Sequence, residues 1–297
     1  MRLVSFIDGD RRASWGALDD ADRLVDLGAV LGSRYPSVRA LLADGALDEA
    51  RAALASAAGG TGAVGGTGAA ASSLGAARVT LLAPVTDPAR ILCAGVNYDE
   101  HRVETGREPN ASPTIFTRYP SSLSGTGVAL TRPRETERFD YEGELAVVIG
   151  RRGRRIATNA ALGHVAGYSC FMDGSVRDWQ RKASQFTPGK NFDASGSFGP
   201  WLLTADEVPD PQALELRTIV DGDVLQRAST ALMTFSVAEL IAFCSTFTTL
   251  EPGDVIATGT PGGVGDRRTP PRYLVPGSKV VVEISGVGRL ENDVTTD

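Results

Sequence analysis

Short apolar runs set the strongest limit on what this chain can fold into. Residues 90–95, 144–150, Val165–Met172, 254–259 and Lys279–Ile284 are runs of six to eight mainly apolar residues, most of them closed by Gly or Asp. Runs of this length with such boundaries read as buried strands. Helical signals between them are few. Val237–Phe247 is the best, with Ser236 as N-cap and Glu239 at N3 completing a capping box, and Thr158–His164 is a shorter candidate. Strands outnumber helices without βαβ alternation, so the pattern predicts an α+β fold with a β-rich core.

Composition narrows the class. The 297 residues allow one large domain, or a main domain with a small partner. With 42% hydrophobic and 22% charged residues, the chain is not a disordered one. It has no run of eighteen strongly apolar residues, so no spanning helix is expected, and the charged residues from Asp8 to Arg12 cut the N-terminal apolar run too short for a signal peptide. A net charge of −6 argues against broad phosphate-backbone binding, and neither nucleic acid nor membrane is expected as a partner. Cys93, Cys170 and Cys244 lie in apolar runs with no CxxC spacing. They read as reduced and buried, which implies a cytoplasmic protein. Only His101 and His164 occur, which excludes a three-histidine zinc site.

Along the chain, residues 1–51 read as a small N-terminal domain. Leu3 to Ile7 followed by Asp8-Gly9-Asp10 predicts a strand and turn, and 35–54 a helical stretch with Ser37 as cap. Residues 52–77 carry no charge, and Ala and Gly supply 18 of the 26 positions; a flexible surface loop and a domain boundary are expected there. Residues 78–297, dense in strand and turn signals, read as the main domain, the part expected to carry any catalytic chemistry.

The most chemical signal is Asp140-Tyr141-Glu142-Gly143-Glu144 at the head of a strand. Residues i and i+2 of an extended chain point the same way, so Glu142 and Glu144 project from one face and repel each other unless a proton or cation lies between them. Asp173 ends the next buried strand and joins the pair. Three carboxylates without histidine or thiolate describe a hard-cation site, best suited to Mg²⁺. The competing reading of Glu-x-Glu alone is an exposed acidic strand end paired with arginines such as Arg138.

Three further groups surround this one. His101 and Glu104 are three residues apart, which on a helical turn sets a carboxylate beside an imidazole and suits a general base acting on water; a solvated helix start is the alternative. Asp173-Gly174-Ser175-Val176-Arg177-Asp178-Trp179-Gln180 offers the planar fork of Arg177 for a carboxylate, with Gln180 one turn on. Lys190, one of only three lysines, follows Gly189 and is placed to approach an anionic substrate closely, unless it is an ordinary surface turn. Gly259-Thr260-Pro261-Gly262-Gly263-Val264-Gly265 satisfies neither a P-loop nor a dinucleotide fingerprint. It reads as a tight loop that turns backbone N–H groups and the Thr260 hydroxyl towards a carboxylate. The Arg151–Arg155 run reads as a solvated turn, and His164 as a packed helix residue rather than a ligand.

Taken together, these segments resemble the fumarylacetoacetate hydrolase family. The matching stretches are 91–98 with His101 and Glu104, 140–144, Asp173 with Arg177, Asp178 and Gln180, 189–193, and 250–261, in family order across about residues 80–293. The resemblance implies a mixed β-rich catalytic fold with a small N-terminal domain, a homodimer, and a Mg²⁺ or Mn²⁺ site. It implies Glu142, Glu144 and Asp173 as metal ligands and His101 with Glu104 as the water-activating pair. Lys190, Arg177, Gln180 and Thr260 take the substrate-contacting positions, with Lys190 stabilising developing negative charge. Ala94 stands where fumarylacetoacetases carry a further metal carboxylate, which favours the branch acting on acylpyruvates and related 2-oxo acids. Gly174 replaces a larger apolar residue, and Arg118 a common lysine.

The expected function is metal-dependent hydrolysis of a carbon–carbon bond in acylpyruvate-type 2,4-dioxo acids. The same site also suits oxaloacetate decarboxylation, or isomerisation or hydration of a 2-oxo acid. A non-catalytic 2-oxo acid binding module is the remote alternative, opposed by the His101–Glu104 pair.

Overall fold

The computed structural model describes residues 1–58, 79–109 and 111–297. All five apolar runs form strands, and four of them meet in one sheet. The Gly143–Ile149 strand lies between Val165–Met172 and Val255–Ala257, antiparallel to both, and Val255–Ala257 runs parallel to Ile91–Gly95. Gly196–Thr204 pairs beyond Val165–Met172, and Thr114–Thr117 closes the far edge beside Ile91–Gly95. The N-terminal hairpin, Arg2–Ile7 with Ala13–Leu18, extends this sheet by pairing onto Gly196–Thr204, so eleven strands belong to it among the described residues. The fifth run, Lys279–Ile284, belongs to a second, five-stranded sheet with Glu215–Val220, Asp223–Ser229, Gly288–Thr296 and Leu130–Arg132. The architecture is the sheet-rich α+β fold expected from the sequence.

Strand alternation divides the interior in two. Leu145, Val147 and Ile149 face one core together with Leu92, Ile256, the 237–247 helix and residues of the second sheet such as Leu216, Val280, Val282 and Leu290. Ala146 and Val148 face the other, with Ile91, Cys93, Phe171, and Val38, Leu41 and Leu42 of the N-terminal segment. A sheet buried on both sides has no room for alternating polar residues, which is why its central strands are apolar throughout.

Local signals set several element ends. The Val237–Phe247 helix carries the expected capping box between Ser236 and Glu239. Ser37 caps Val38–Ala43, but the expected 35–54 helix is two helices, broken at 44–46 and resuming as Leu47–Ala58. Residues 52–58, expected to begin a loop, therefore continue a helix; the rest of that Ala/Gly stretch lies outside the described residues. Thr158–His164 is a 3₁₀ rather than an α-helix. The three cysteines are free and buried. No helix among the described residues is long and apolar enough to cross a membrane.

Gly143 lies where the Glu142-x-Glu144 strand crosses the second sheet. A Cβ there would come within 2.1 Å of Thr218 Oγ1 and 3.3 Å of the Val282 methyls. Gly143→Ala should therefore cost about 1–3 kcal/mol of stability through overpacking. Thr218→Ala, which removes a buried hydroxyl without a partner, should recover part of that loss. Urea denaturation of the two single variants and the double variant checks it: strict additivity would contradict a direct clash.

Candidate active site

Four strand ends converge at one end of the large sheet. The parallel pairing of Val255–Ala257 with Ile91–Gly95 brings the C-terminal ends of both to the same edge. The antiparallel Gly143–Ile149 strand begins there, and Val165–Met172 ends there. Gly143 pairs with Met172, so Glu142 and Asp173 are the next cross-strand neighbours, and Asp173 N–H donates to Glu142 O at 2.8 Å. Glu142, Glu144 and Asp173 share one face, are all buried, and offer oxygen atoms within 4.8 Å of one another.

Arginine and lysine surround this cluster. Arg177 Nη1 lies 2.6 Å from Glu142 Oε1, and its Nε donates to Asp140 Oδ2 at 2.8 Å. Lys190 Nζ bridges Glu142 Oε2, at 2.6 Å, and Asp173 Oδ2. Arg118, fully buried, donates from Nη1 to Asp173 Oδ1 at 2.6 Å and from Nη2 to Ser195 Oγ at 2.9 Å. Gly189 lets Lys190 reach so far inward. A Cβ at Gly189 would fall 2.4 Å from the Gln180 backbone, and the two short helices Arg177–Gln180 and Thr187–Lys190 pack closely only without one. Gln180 accepts from Arg177 Nη1 at 3.0 Å.

Unequal surroundings separate the acids. Burial would raise Glu142, but the Arg177 and Lys190 charges hold its carboxyl well below the ordinary range. Glu144 has no such partner: burial first, then the Asp173 and Glu142 charges, push it well above that range. Burial would lower Lys190, yet the carboxylates of Asp173 and Glu142 raise it. Four buried acids, counting Asp140, thus face the three cations Arg118, Arg177 and Lys190. Hard oxygen donors, close spacing and a carboxyl strained by its neighbours are the chemistry of a divalent-cation site, and Glu142, Glu144 and Asp173 fit one.

The glycine-rich loop after Val255–Ala257 supplies backbone donors, as its sequence predicts, but the carboxylates that receive them are the chain's own. Gly259 N–H donates to Glu144 at 2.8 Å, Gly263 N–H to Glu104 at 2.9 Å, and Gly265 and Asp266 N–H to Asp140 at 2.8 and 3.0 Å. Thr260 lines the cleft, yet its hydroxyl donates to Gly143 O at 2.9 Å and accepts from Gln226 at 2.8 Å.

His101 reaches the cleft from the short Asp99–Glu104 helix. The chain enters that helix through Val96, a β-branched residue at φ +57°, a costly conformation that Asn97 helps to hold. The Asn97 amide donates to Phe235 O and Thr258 O and accepts from Phe235 N–H. His101 Nδ1 lies 2.7 Å from Glu104 Oε1. With the Gly263 N–H on its other oxygen, the Glu104 carboxylate is placed to accept a hydrogen bond from Nδ1–H.

The nine residues singled out from the sequence all lie in or beside this cleft. Sequence reasoning missed the supports behind them. Arg118, noted only as a substitution for lysine, holds Asp173. Asp140, seen as part of the acidic motif, anchors Arg177 and the 265–266 turn. Gln226 ties Gly143 N–H to the 260–261 turn, and nothing in its local sequence marks it. The two decoys lie elsewhere. Arg154 donates to Ser245 O at the end of the 237–247 helix, and His164 is hydrogen-bonded to Arg151.

Comparison with known proteins agrees with this geometry. The profile of the fumarylacetoacetate (FAA) hydrolase C-terminal family matches residues 90–295. An oxaloacetate tautomerase of Xenopus laevis, fahd2, is 38% identical over 99% of this chain and 90% of its own length. Oxaloacetate tautomerase YisK of Bacillus subtilis is 41% identical over 73% of each chain. Among solved structures, maleylpyruvate hydrolase from Sphingobium sp. SYK-6, in complex with manganese(II) and pyruvate, superposes with a TM-score of 0.79 at 30% identity, covering 100% of this chain and 99% of its own. By profile, by full-length similarity and by fold, this chain belongs to the fumarylacetoacetate hydrolase family.

Proposed function

We propose that this chain is a metal-dependent tautomerase of a 2-oxo dicarboxylic acid of the oxaloacetate type. The observation that carries the proposal is the end-to-end similarity to an oxaloacetate tautomerase. The sequence motifs alone favour carbon–carbon hydrolysis, with oxaloacetate decarboxylation or 2-oxo acid isomerisation or hydration as the alternative. Similarity to oxaloacetate tautomerases supports the isomerisation reading better, and hydrolysis of an acylpyruvate is kept as the second reading because of the likeness to maleylpyruvate hydrolase.

Tautomerisation moves one proton between carbon 3 and the 2-oxygen of the acid. A divalent cation at Glu142, Glu144 and Asp173, in our proposal Mg²⁺ or Mn²⁺, supplies Lewis acidity at the 2-oxo group. The chain's own groups do the rest. His101 Nε2 accepts the proton from carbon 3, the C–H pair becomes the carbon 2–carbon 3 double bond, the carbonyl π pair moves onto the 2-oxygen, and the imidazolium returns the same proton to that oxygen. Enol-to-keto conversion runs the same steps backwards. Glu104 orients the imidazole and fixes its tautomer. Lys190 and Arg177 add positive charge where the 2-oxygen becomes negative. Gln180 and Thr260 shape the wall. A homodimer is part of the same proposal and rests on the family resemblance alone.

Following loss of the oxaloacetate enol by ultraviolet absorbance should show catalysis with Mg²⁺ or Mn²⁺ and none in excess chelator. Cleavage of acylpyruvates with no acceleration of enol loss would favour the hydrolase reading instead. His101→Ala should lower turnover about 10²–10⁴-fold and Glu104→Gln less, with thermal unfolding of both near the wild type. A folded His101→Ala protein with normal turnover would remove the assigned base. Glu142→Gln and Asp173→Asn should weaken Mn²⁺ binding at least about tenfold, the lower end of what lost ligand-shell support costs, measured by calorimetry; unchanged affinity would move the cation elsewhere.

A further inference from the structure

Among the described residues, five cations line the cleft: Arg107, Arg177, Arg181, Lys190 and Arg267. Four already face carboxylates of the chain. Arg177 and Lys190 hold the acidic cluster. Arg181 pairs with Asp266, and Arg267 lies 3.6 Å from the same acid. Arg107 differs, for no carboxylate of the described residues pairs with it. Its guanidinium lies over the Phe186 ring, 5.2 Å from the centroid. Phe186 meets Phe116 edge-on at 5.6 Å, and buried Lys190 Nζ lies 5.1 Å from the Phe116 centroid. An aromatic wall therefore runs from the cation cluster inside to one uncommitted guanidinium outside.

We infer that Arg107 is a specificity-determining residue that binds the distal carboxylate of a 2-oxo dicarboxylic acid, with Phe116 and Phe186 flanking the carbon chain between the two acidic ends. The inference rests on the reading of the site as one for 2-oxo diacids. A guanidinium stacked on an aromatic face keeps its N–H edge free, and that edge matches a carboxylate in two parallel hydrogen bonds. Were the distal group of the substrate apolar, the Phe186 face would serve it better uncovered.

Two five-carbon acids that differ only at the far end provide the test. Calorimetric titration of the Mn²⁺-loaded protein with 2-oxoglutarate and with 2-oxopentanoate should show tighter binding of the diacid. Arg107→Gln should weaken 2-oxoglutarate roughly 10- to 100-fold, the scale of a lost hydrogen-bonded charge pair, and leave 2-oxopentanoate unchanged. Arg107→Lys should keep part of the preference. No preference in the wild type, or an equal effect of Arg107→Gln on both acids, would overturn the role of Arg107 and leave the 2-oxo acid reading standing. Failure of both acids to bind the wild type would overturn that reading and this inference with it.

Discussion

The structure is organised around the burial of like charges at the mouth of a sheet. Glu142, Glu144 and Asp173 lie on one face of two adjacent strands, in a region otherwise filled by Cys93, Phe116 and Phe171. Leaving water costs each ionised carboxylate several kcal/mol, and proximity adds repulsion. Everything close to them answers that cost. Arg118, Arg177 and Lys190 come from three separate segments, and the loop after Val255–Ala257 contributes backbone N–H groups. Compensation is uneven, since Glu144 has only the Gly259 N–H and no cation in contact. The energetic gap that remains is of the sort a divalent cation fills.

Sheet topology turns this local problem into a site. Had the 255–257 strand run antiparallel to the 91–95 strand, the loop after it would leave from the opposite edge, away from His101. Parallel pairing instead places the 258–266 loop beside the Asp99–Glu104 helix, where one loop holds Glu144, Glu104 and Asp140. Glu144, Glu104 and Asp140 are thus tied to one another through the N–H groups of Gly259, Gly263 and Gly265 on a single loop. Preorganisation of this kind keeps the His101–Glu104 pair and the carboxylate face in register within the fold itself.

The elements legible in the sequence are those whose signal is local. Fully buried strands such as Gly143–Ile149 and Val165–Met172 announce themselves as continuous apolar runs, and the 237–247 helix by its capping box. Gly196–Thr204 does not, although every residue in it is buried, because glycine and proline interrupt its pattern. Glu215–Val220 and Asp223–Ser229 are half polar, being covered on one side only, and their alternation is easily passed over. The 35–54 segment shows the reverse error: helix-forming residues on both sides hide a break at 44–46, where Gly45 at φ +64° ends the first helix and its N–H and that of Ala46 return to Leu42 O and Leu41 O.

For the site, the sequence by itself determined which carboxylates share a face and which histidine has a carboxylate one turn away, since both follow from the two- and near-four-residue periods of strand and helix. It also marked Lys190 and Arg177 as close to chemistry. Only the tertiary structure decided how their charges are apportioned. The pairing of Arg118 with Asp173 spans 55 residues, Lys190 with Glu142 spans 48, and the loop contacts to Glu104 and Glu144 span more than 100. No local period encodes such distances. They arise because parallel and antiparallel pairing bring four strand ends to one edge, and a buried charge must be met there by whatever segments arrive.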